Sequence, residues 1–258
     1  MKTINPSELS PMQVQMILQT AVAPRPIALA STIDKNGNVN LSPFSFFNLF
    51  SSNPPILIFS PARRVRDNST KDTLHNVLEV PEVVIGNVNF DIVQQVSLSS
   101  TEYETGVDEF IKSGLTKKPA ELVKPPLIAE SPVNFECKVI EVKPLGNEGG
   151  AGNLVICEVL KIHIKEEFLN EEGNLDQKKL DLVSRLGGNW YGRTSAETLF
   201  EVPKPLVTKG IGFDQLPSEI KNSKIFTGND LGMLANVEQL PEGNFSADEN
   251  LHLEAQKL

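Results

Sequence analysis

The stretch "IALASTIDKNGNVNLSPFSFFNLF", residues 27–50, constrains the fold more than any other part of the chain. Two strand-like runs flank Asn36-Gly37, a pair that tolerates the positive φ angles of a tight hairpin turn. Residues 27–33 and 39–47 are therefore expected to pair antiparallel. A third apolar run, "ILIFS", follows Pro54-Pro55 and is short enough for a buried strand. "EVVIGNVN" supplies another, and residues 133–143 and 153–165 two more, separated by the Gly-rich "LGNEGGAGN". That cluster holds no GxGxxG leading into a helix, so it reads as a flexible hairpin tip and not as a phosphate loop. About six strands joined by hairpins, with one intervening helix, predict a mostly β fold: an antiparallel barrel with Greek-key links. A parallel nucleotide-binding sheet would need a more regular alternation of strand and helix.

Helices are fewer. Ser10 followed by Pro11 starts one that runs to about Ala21, with Met12, Met16, Ile17 and Leu18 along one face and Pro24 and Pro26 beyond its end. "DIVQQVSL" is a second, short one. Residues 100–132 are polar and proline-containing and read as a long irregular excursion with one helical turn near "DEFIKSG". From about residue 166 the pattern loosens, and the last 45 residues carry eight acidic against three basic side chains. Weak helical patches fall near Ser218–Asn222 and Asp230–Val237. The expected organisation is a barrel domain over 1–200 and an acidic extension over 201–258, packed on the barrel or on a partner subunit.

A net charge of −9 and a pI near 5.0 disfavour nucleic acid and anionic membranes as partners, because both polyanions would be repelled on average. The N-terminal "MKTINPSELS" lacks an apolar signal core, and no apolar run approaches the roughly 20 residues of a membrane span. A soluble cytoplasmic protein is expected. Its two cysteines, Cys137 and Cys157, lie in apolar strand-like stretches without a CxxC, which suits reduced, buried thiols and no metal site.

"RDNSTKDTLHN", residues 66–76, raises the question of chemistry. On one reading Ser69 caps a helix and Asp72 reaches back to it as a variant of the capping box. On the other, this helix start binds an anion. Arg63, Arg64, Arg66 and Lys71 make a local positive spot in an otherwise acidic protein, beside the positive end of a helix dipole. Lys71 would act as the point charge, and Ser69, Thr70 and Thr73 would add hydroxyl donors. The neighbouring "NLSPFSFFNLFSSNPP" is rich in Ser, Asn and Phe and poor in charge, which suits the faces and edge of a flat, partly polar ring. Alternatively, Phe44, Phe46, Phe47 and Phe50 fill a barrel core.

Taken in order, "PRPIALASTIDKNGNVNLSPFSFFNLFSSNPPILIFSP", "STKDTLHN", "GVDEF", "VKPPLIAESPVNFECKV" and "LGGNWY" resemble the flavin reductase-like, FMN-binding split-barrel family that includes flavoredoxins. The resemblance covers about residues 8–200. It implies a homodimeric split β-barrel that binds FMN near the subunit interface. It places Ser31, Thr32, Pro43, Phe44, Ser45, Asn48 and Ser51 along the flavin, and Ser69, Thr70, Lys71 and Thr73 at its phosphate. Arg25 of "PRPI" either reaches the phosphate or makes a surface salt bridge. His163 stands where related reductases have a histidine close to the nicotinamide, or is structural. Tyr191, with Trp190, covers the flavin from the partner chain or packs the dimer. The implied activity is an NADH- or NADPH-dependent flavin reductase supplying reduced FMN to a partner oxygenase or another acceptor. The alternatives are an FMN electron carrier that never meets a nicotinamide, and a non-catalytic flavin-binding protein.

Overall fold

The computed structural model describes residues 1–240 and contains two compact units, Met1–Leu199 and the residues from Phe200 onward. The strands of the first unit are β1 (Ala28–Ile33), β2 (Val39–Phe44), β3 (Phe47–Ser52), β4 (Pro55–Phe59), β5 (Glu82–Asn87), β6 (Lys117–Lys118), β7 (Leu127–Ile128), β8 (Val133–Pro144), β9 (Asn153–Ile164), β10 (Val183–Arg185) and β11 (Tyr191–Arg193). Seven of them form one sheet in the order β2-β1-β5-β8-β9-β4-β3, with every neighbouring pair antiparallel. β6 with β7 and β10 with β11 make two small separate ribbons. The sheet's end strands, β2 and β3, are consecutive in the chain and only Ser45 and Phe46 lie between them. The two edges therefore meet at that corner, and the sheet curls into the split barrel.

This corner corrects the expectation of a single strand over 39–47. β2 stops at Phe44 because Phe44 pairs with Ala28, the first residue of β1, and Pro26 just upstream has no N–H to continue the ladder. The chain then turns and pairs with β4 instead. Pro43 is tolerated because β2 is a sheet edge.

All six residues of β1 are buried, since the strand is covered on both faces. Ala28 and Ala30 point into the barrel with Phe44, Phe59, Val83 and Ile85, where the rings of Phe44 and Phe59 lie 5.2 Å apart. Leu29 points the other way, into a second cluster with Leu41, Val84, Val96 and Phe110. That outer cluster is closed by α3 (Val93–Ser99) and α4 (Glu109–Ser113). Residues 100–132 thus contain α4 and the β6–β7 ribbon, more local order than their composition suggests.

α1 (Pro11–Ala21) begins with the predicted Ser10 cap, which forms a full capping box with Gln13, yet none of its residues is buried. α2 (Asp72–Glu79) packs Leu74 and Val77 into the barrel. α5 (Gln177–Leu180) follows β9. The tip of the β8–β9 hairpin is pinned, contrary to its flexible reading: Arg63 N donates to Ala151 O at 2.8 Å and Gly150 N to Arg63 O at 2.9 Å. A Cβ on Gly149 would lie 2.9 Å from the Arg64 carbonyl, so only glycine permits this approach.

In the second unit, α6 (Ser218–Lys221) and α7 (Gly228–Leu234) stand at the two weak helical patches, and Leu216, Leu231 and Ala235 are buried together. The rest of the acidic tail, 241–258, lies outside the described residues. Among the described residues no helix is long and apolar enough to cross a membrane.

Candidate functional site

α2 starts at Asp72, three residues after the expected cap, and Lys71 occupies its N-cap position without a side-chain capping bond. Ser69 is engaged elsewhere. Its N–H donates to Asp67 Oδ1 at 2.9 Å, its hydroxyl donates to the same oxygen, and Asn68 adopts a left-handed φ of 59° between them. Asp67 offers this serine a closed local turn, which outcompetes the capping role. Hydrogen bonds from the Ser69 hydroxyl and amide, with Arg66 adding to them, bring the Asp67 carboxyl down to about 2.

The late helix start leaves Thr70, Lys71 and Thr73 facing β2. By strand alternation Asn40, Ser42 and Phe44 share one face of β2. Lys71 Nζ donates to Ser42 Oγ at 3.0 Å and stands 5.1 Å above the Phe44 ring. Thr73 Oγ1 donates to Asn40 Oδ1 at 2.7 Å, and Asn40 Nδ2 donates to Glu109 Oε1 at 2.9 Å. Thr70 Oγ1 pairs with His75 Nε2 at 2.7 Å. Asn40, Ser42, Thr70, Lys71, Thr73 and Glu109 line a polar cavity of about 270 Å³. Burial, with Arg64 adding to it, lowers the pKa of Lys71, which has no carboxylate partner among the described residues. Burial raises that of Glu109 despite its hydrogen bonds from Leu41 N and Asn40.

Beside the cavity runs a mostly apolar groove of about 1040 Å³, walled by α1 on one side and by Ala62–Arg66, Phe46, Gly149 and Gly150 on the other. Arg64 and Glu102 line both spaces and form the wall between them. Arg64 Nε donates to Glu102 Oε1 at 3.0 Å, while its Nη1 donates to Ser69 Oγ at 2.8 Å and to Thr70 O at 3.1 Å.

Arg25 lines the groove, but its guanidinium is turned to backbone carbonyls: Nη1 donates to Gln19 O and Val22 O, and Nη2 to Leu186 O at 3.0 Å. It is buried and, among the described residues, makes no salt bridge and leaves its Nε without a partner, so it clamps the C-terminal end of α1 through backbone carbonyls. Burial, then Arg185, lowers its pKa.

Of the residues singled out from the sequence, Thr70, Lys71 and Thr73 converge on the cavity and Arg25 reaches the groove. Ser31, Thr32, Pro43, Phe44, Ser45, Asn48 and Ser51 line neither space. Ser31 and Thr32 are fully buried on β1; Thr32 Oγ1 accepts from Asn76 Nδ2 at 3.2 Å and Ser31 Oγ has no partner. Asn48 is exposed on β3, Ser51 follows a bulge there, and Ser45 forms the β2–β3 corner. Tyr191 lines a separate hollow of about 190 Å³ with Phe90 and Arg193, and Trp190 is exposed.

His163 lies elsewhere. It is ten positions along β9 from Asn153 at the hairpin tip, roughly 33 Å at about 3.3 Å per residue. Its Nε2 sits 2.6 Å from Oε1 of Glu136, a fully buried carboxylate that also accepts from the backbone N–H groups of Glu121, Leu122 and Val123. Burial alone would raise the Glu136 pKa; these donors and His163 outweigh it and hold the carboxyl below its ordinary range. Within one chain His163 therefore tethers the 121–123 segment and does not face the groove.

Sequence reasoning missed Asn40, Ser42, Glu102 and Glu109. The first two carried a signal: polar residues at alternate positions of a strand that is otherwise apolar. The two glutamates carried none, because only the fold brings them to β2 and to the arginines.

Comparison with known proteins agrees with this architecture. The family model described as "Flavin reductase like domain" matches residues 21–181. An uncharacterized protein of Halalkalibacterium halodurans is 38% identical over 208 residues, covering 80% of this chain and 98% of its own. One from Aquifex aeolicus is 36% identical over 181 residues, covering 70% and 90%. Among solved structures, nitrilotriacetate monooxygenase component B from Bacillus cereus superposes with a TM-score of 0.71 at 27% identity, over 79% of this chain and 98% of that one. The Pseudomonas fluorescens 2-nitrobenzoate 2-nitroreductase gives 0.68 at 27%, over 81% and 100%. Flavoredoxin of Desulfovibrio vulgaris, at 21% identity and a TM-score of 0.59 over 72% of this chain and 93% of that one, shares the fold. The chain belongs to the flavin reductase like family.

Proposed function

We propose that this protein binds FMN and acts as a flavin reductase, accepting hydride from NADH or NADPH and supplying reduced flavin to an acceptor. One observation carries the reading: a polar cavity holding a half-buried lysine that makes no salt bridge among the described residues shares a wall with a large apolar groove. Such a pair of spaces suits a ligand with a compact anion at one end and a flat, mostly apolar body at the other. FMN has that division. The donor set suits its phosphate, since Lys71 supplies charge and Ser42 a hydroxyl proton that is not otherwise engaged among the described residues, with Thr70 and Thr73 beside them, while an anion would relieve the desolvated ammonium.

When bound, the flavin supplies the redox chemistry, taking up and passing on electrons. The chain's own residues position and exclude. Lys71 and Ser42 would hold the phosphate end, and Phe46, Leu18 and Val22 would give the groove its apolar contact surface. The titratable side chains lining the groove are Arg25, Arg63, Arg64, Arg66 and Glu102, so its contribution is alignment more than acid–base catalysis. A relative named as component B of a monooxygenase supports an oxygenase as the acceptor. Exposed apolar side chains, Met12, Met16 and Leu18 on α1 and Leu49 and Phe50 on β3, support a second copy of the chain as a partner.

Purified protein incubated with FMN should retain it at one per chain and be yellow. Under anaerobic stopped flow, NADH or NADPH should bleach the flavin band. Retention without bleaching by either nucleotide would remove the reductase activity and leave an electron carrier; no retention would remove the whole reading.

A further inference from the structure

Arg64 and Arg66 end on the same carboxylate. Glu102 Oε1 accepts from Arg64 Nε at 3.0 Å, and Oε2 pairs with Arg66 Nη2. The carboxylate stands at the wall common to the groove and the polar cavity. Hydrogen bonds from Arg66, then Arg64, hold its pKa below the usual range, so it is ionised at neutral pH.

Two neighbouring guanidiniums are the groups best suited to a pyrophosphate, which they grip with paired N–H donors. In this chain Glu102 holds one N–H group of each, with Asp67 also on Arg66 and Ser69 and Thr70 also on Arg64. Lys71 is left as the cavity-lining cation that makes no salt bridge among the described residues, although the carboxylates of Asp72, Glu102, Glu104 and Glu109 line the same cavity. One phosphate beside Lys71 would meet its ammonium and the Ser42 hydroxyl, whose proton is not otherwise engaged among the described residues. A second phosphate, on the groove side of the wall, would meet Glu102 and two arginines already paired with it.

Resting on the flavin reading above, we propose that Glu102 sets which flavin the site accepts: it admits a phosphomonoester and turns away a pyrophosphate-linked dinucleotide by occupying the arginines a second phosphate would need. Removing its charge lifts a like-charge contact and releases the two N–H groups that end on it, Arg64 Nε and Arg66 Nη2, while Arg66 Nε stays on Asp67 and Arg64 Nη1 on Ser69 and Thr70; the two effects act in the same direction.

Dissociation constants for FMN, FAD and riboflavin, read by flavin fluorescence on wild-type protein, Glu102→Gln and Glu102→Gln with Arg66→Ala, test this. Wild-type protein should bind FMN about a hundredfold tighter than FAD, and Glu102→Gln should narrow that gap by about tenfold, the equivalent of 1.4 kcal/mol, through tighter FAD binding. Adding Arg66→Ala should reverse the gain, and riboflavin affinity should stay level throughout. Equal wild-type affinities for FMN and FAD, or an unchanged ratio in Glu102→Gln, would overturn the role of Glu102 while leaving FMN binding intact. A gain that survives Arg66→Ala, or that riboflavin shares, would also overturn it, since the arginines would then not be the cause. Protein that binds none of the three flavins overturns the flavin reading and this inference with it.

Discussion

Lys71, at the start of α2, sets its ammonium 3.0 Å from the hydroxyl of Ser42 on β2, and this contact joins the anion-poised helix start to the barrel edge. The ammonium is desolvated, and one neutral hydroxyl compensates it only in part. Lys71→Ala should therefore weaken FMN binding by about 1.5–3 kcal/mol, the range for a hydrogen bond to a charged group, while riboflavin, which lacks the phosphate, binds as before. Parallel titrations of the two flavins measure the difference. An equal loss for both would move Lys71 away from the phosphate.

Glu136 is a fully buried carboxylate of the barrel. Replacing it with Gln turns an amide N–H₂ toward backbone donors and should destabilise the fold by about 1–3 kcal/mol at pH 7, read from urea midpoints. Its folded pKa lies below the ordinary value, so its contribution is complete above the unfolded value of about 4.3 and is lost as pH falls through the folded one. The wild-type and Glu136→Gln curves should accordingly converge in acid. A gap that persists undiminished at the lowest pH would mean the carboxylate charge is not what stabilises.

Ser69 serves Asp67 and not α2, which makes two measurements diverge. In Ser69→Ala the Asp67 carboxyl should rise from about 2 toward its usual range, followed by carboxyl ¹³C shifts in an NMR titration. Helix content by circular dichroism should not fall. Loss of helix with no movement of Asp67 would restore the capping role.

Burial pushes the Cys137 thiol up to about 12 and raises Cys157 well above its ordinary value. Neither should react with a disulfide reagent at pH 8 in folded protein, and both should react at once in denaturant. Fast labelling of the native chain would show that the barrel interior opens.

The β1–β2 hairpin was legible because its cause is local: Gly37 takes the φ of 87° that the tight turn demands, and Ser31 comes opposite Leu41. The end of β2 was not legible, since nothing in "SPFSFFN" says where its partner strand begins. The late start of α2 arose from competition between two local motifs, Asp67 against the helix for one serine, and composition does not rank them. His163 illustrates the same limit, because the buried Glu136 that holds its ring comes from the neighbouring strand.

By itself the sequence determined an antiparallel barrel and a cluster of hydroxyls and cations ahead of α2, because turn chemistry, alternation and charge clustering act between residues close along the chain. Tertiary structure decided that Asn40 and Ser42 face that cluster, that α1 walls a groove, and that Glu102 stands between the two arginines. Those meetings depend on strand register and on how the sheet curls, and both are settled by packing between segments far apart in the chain.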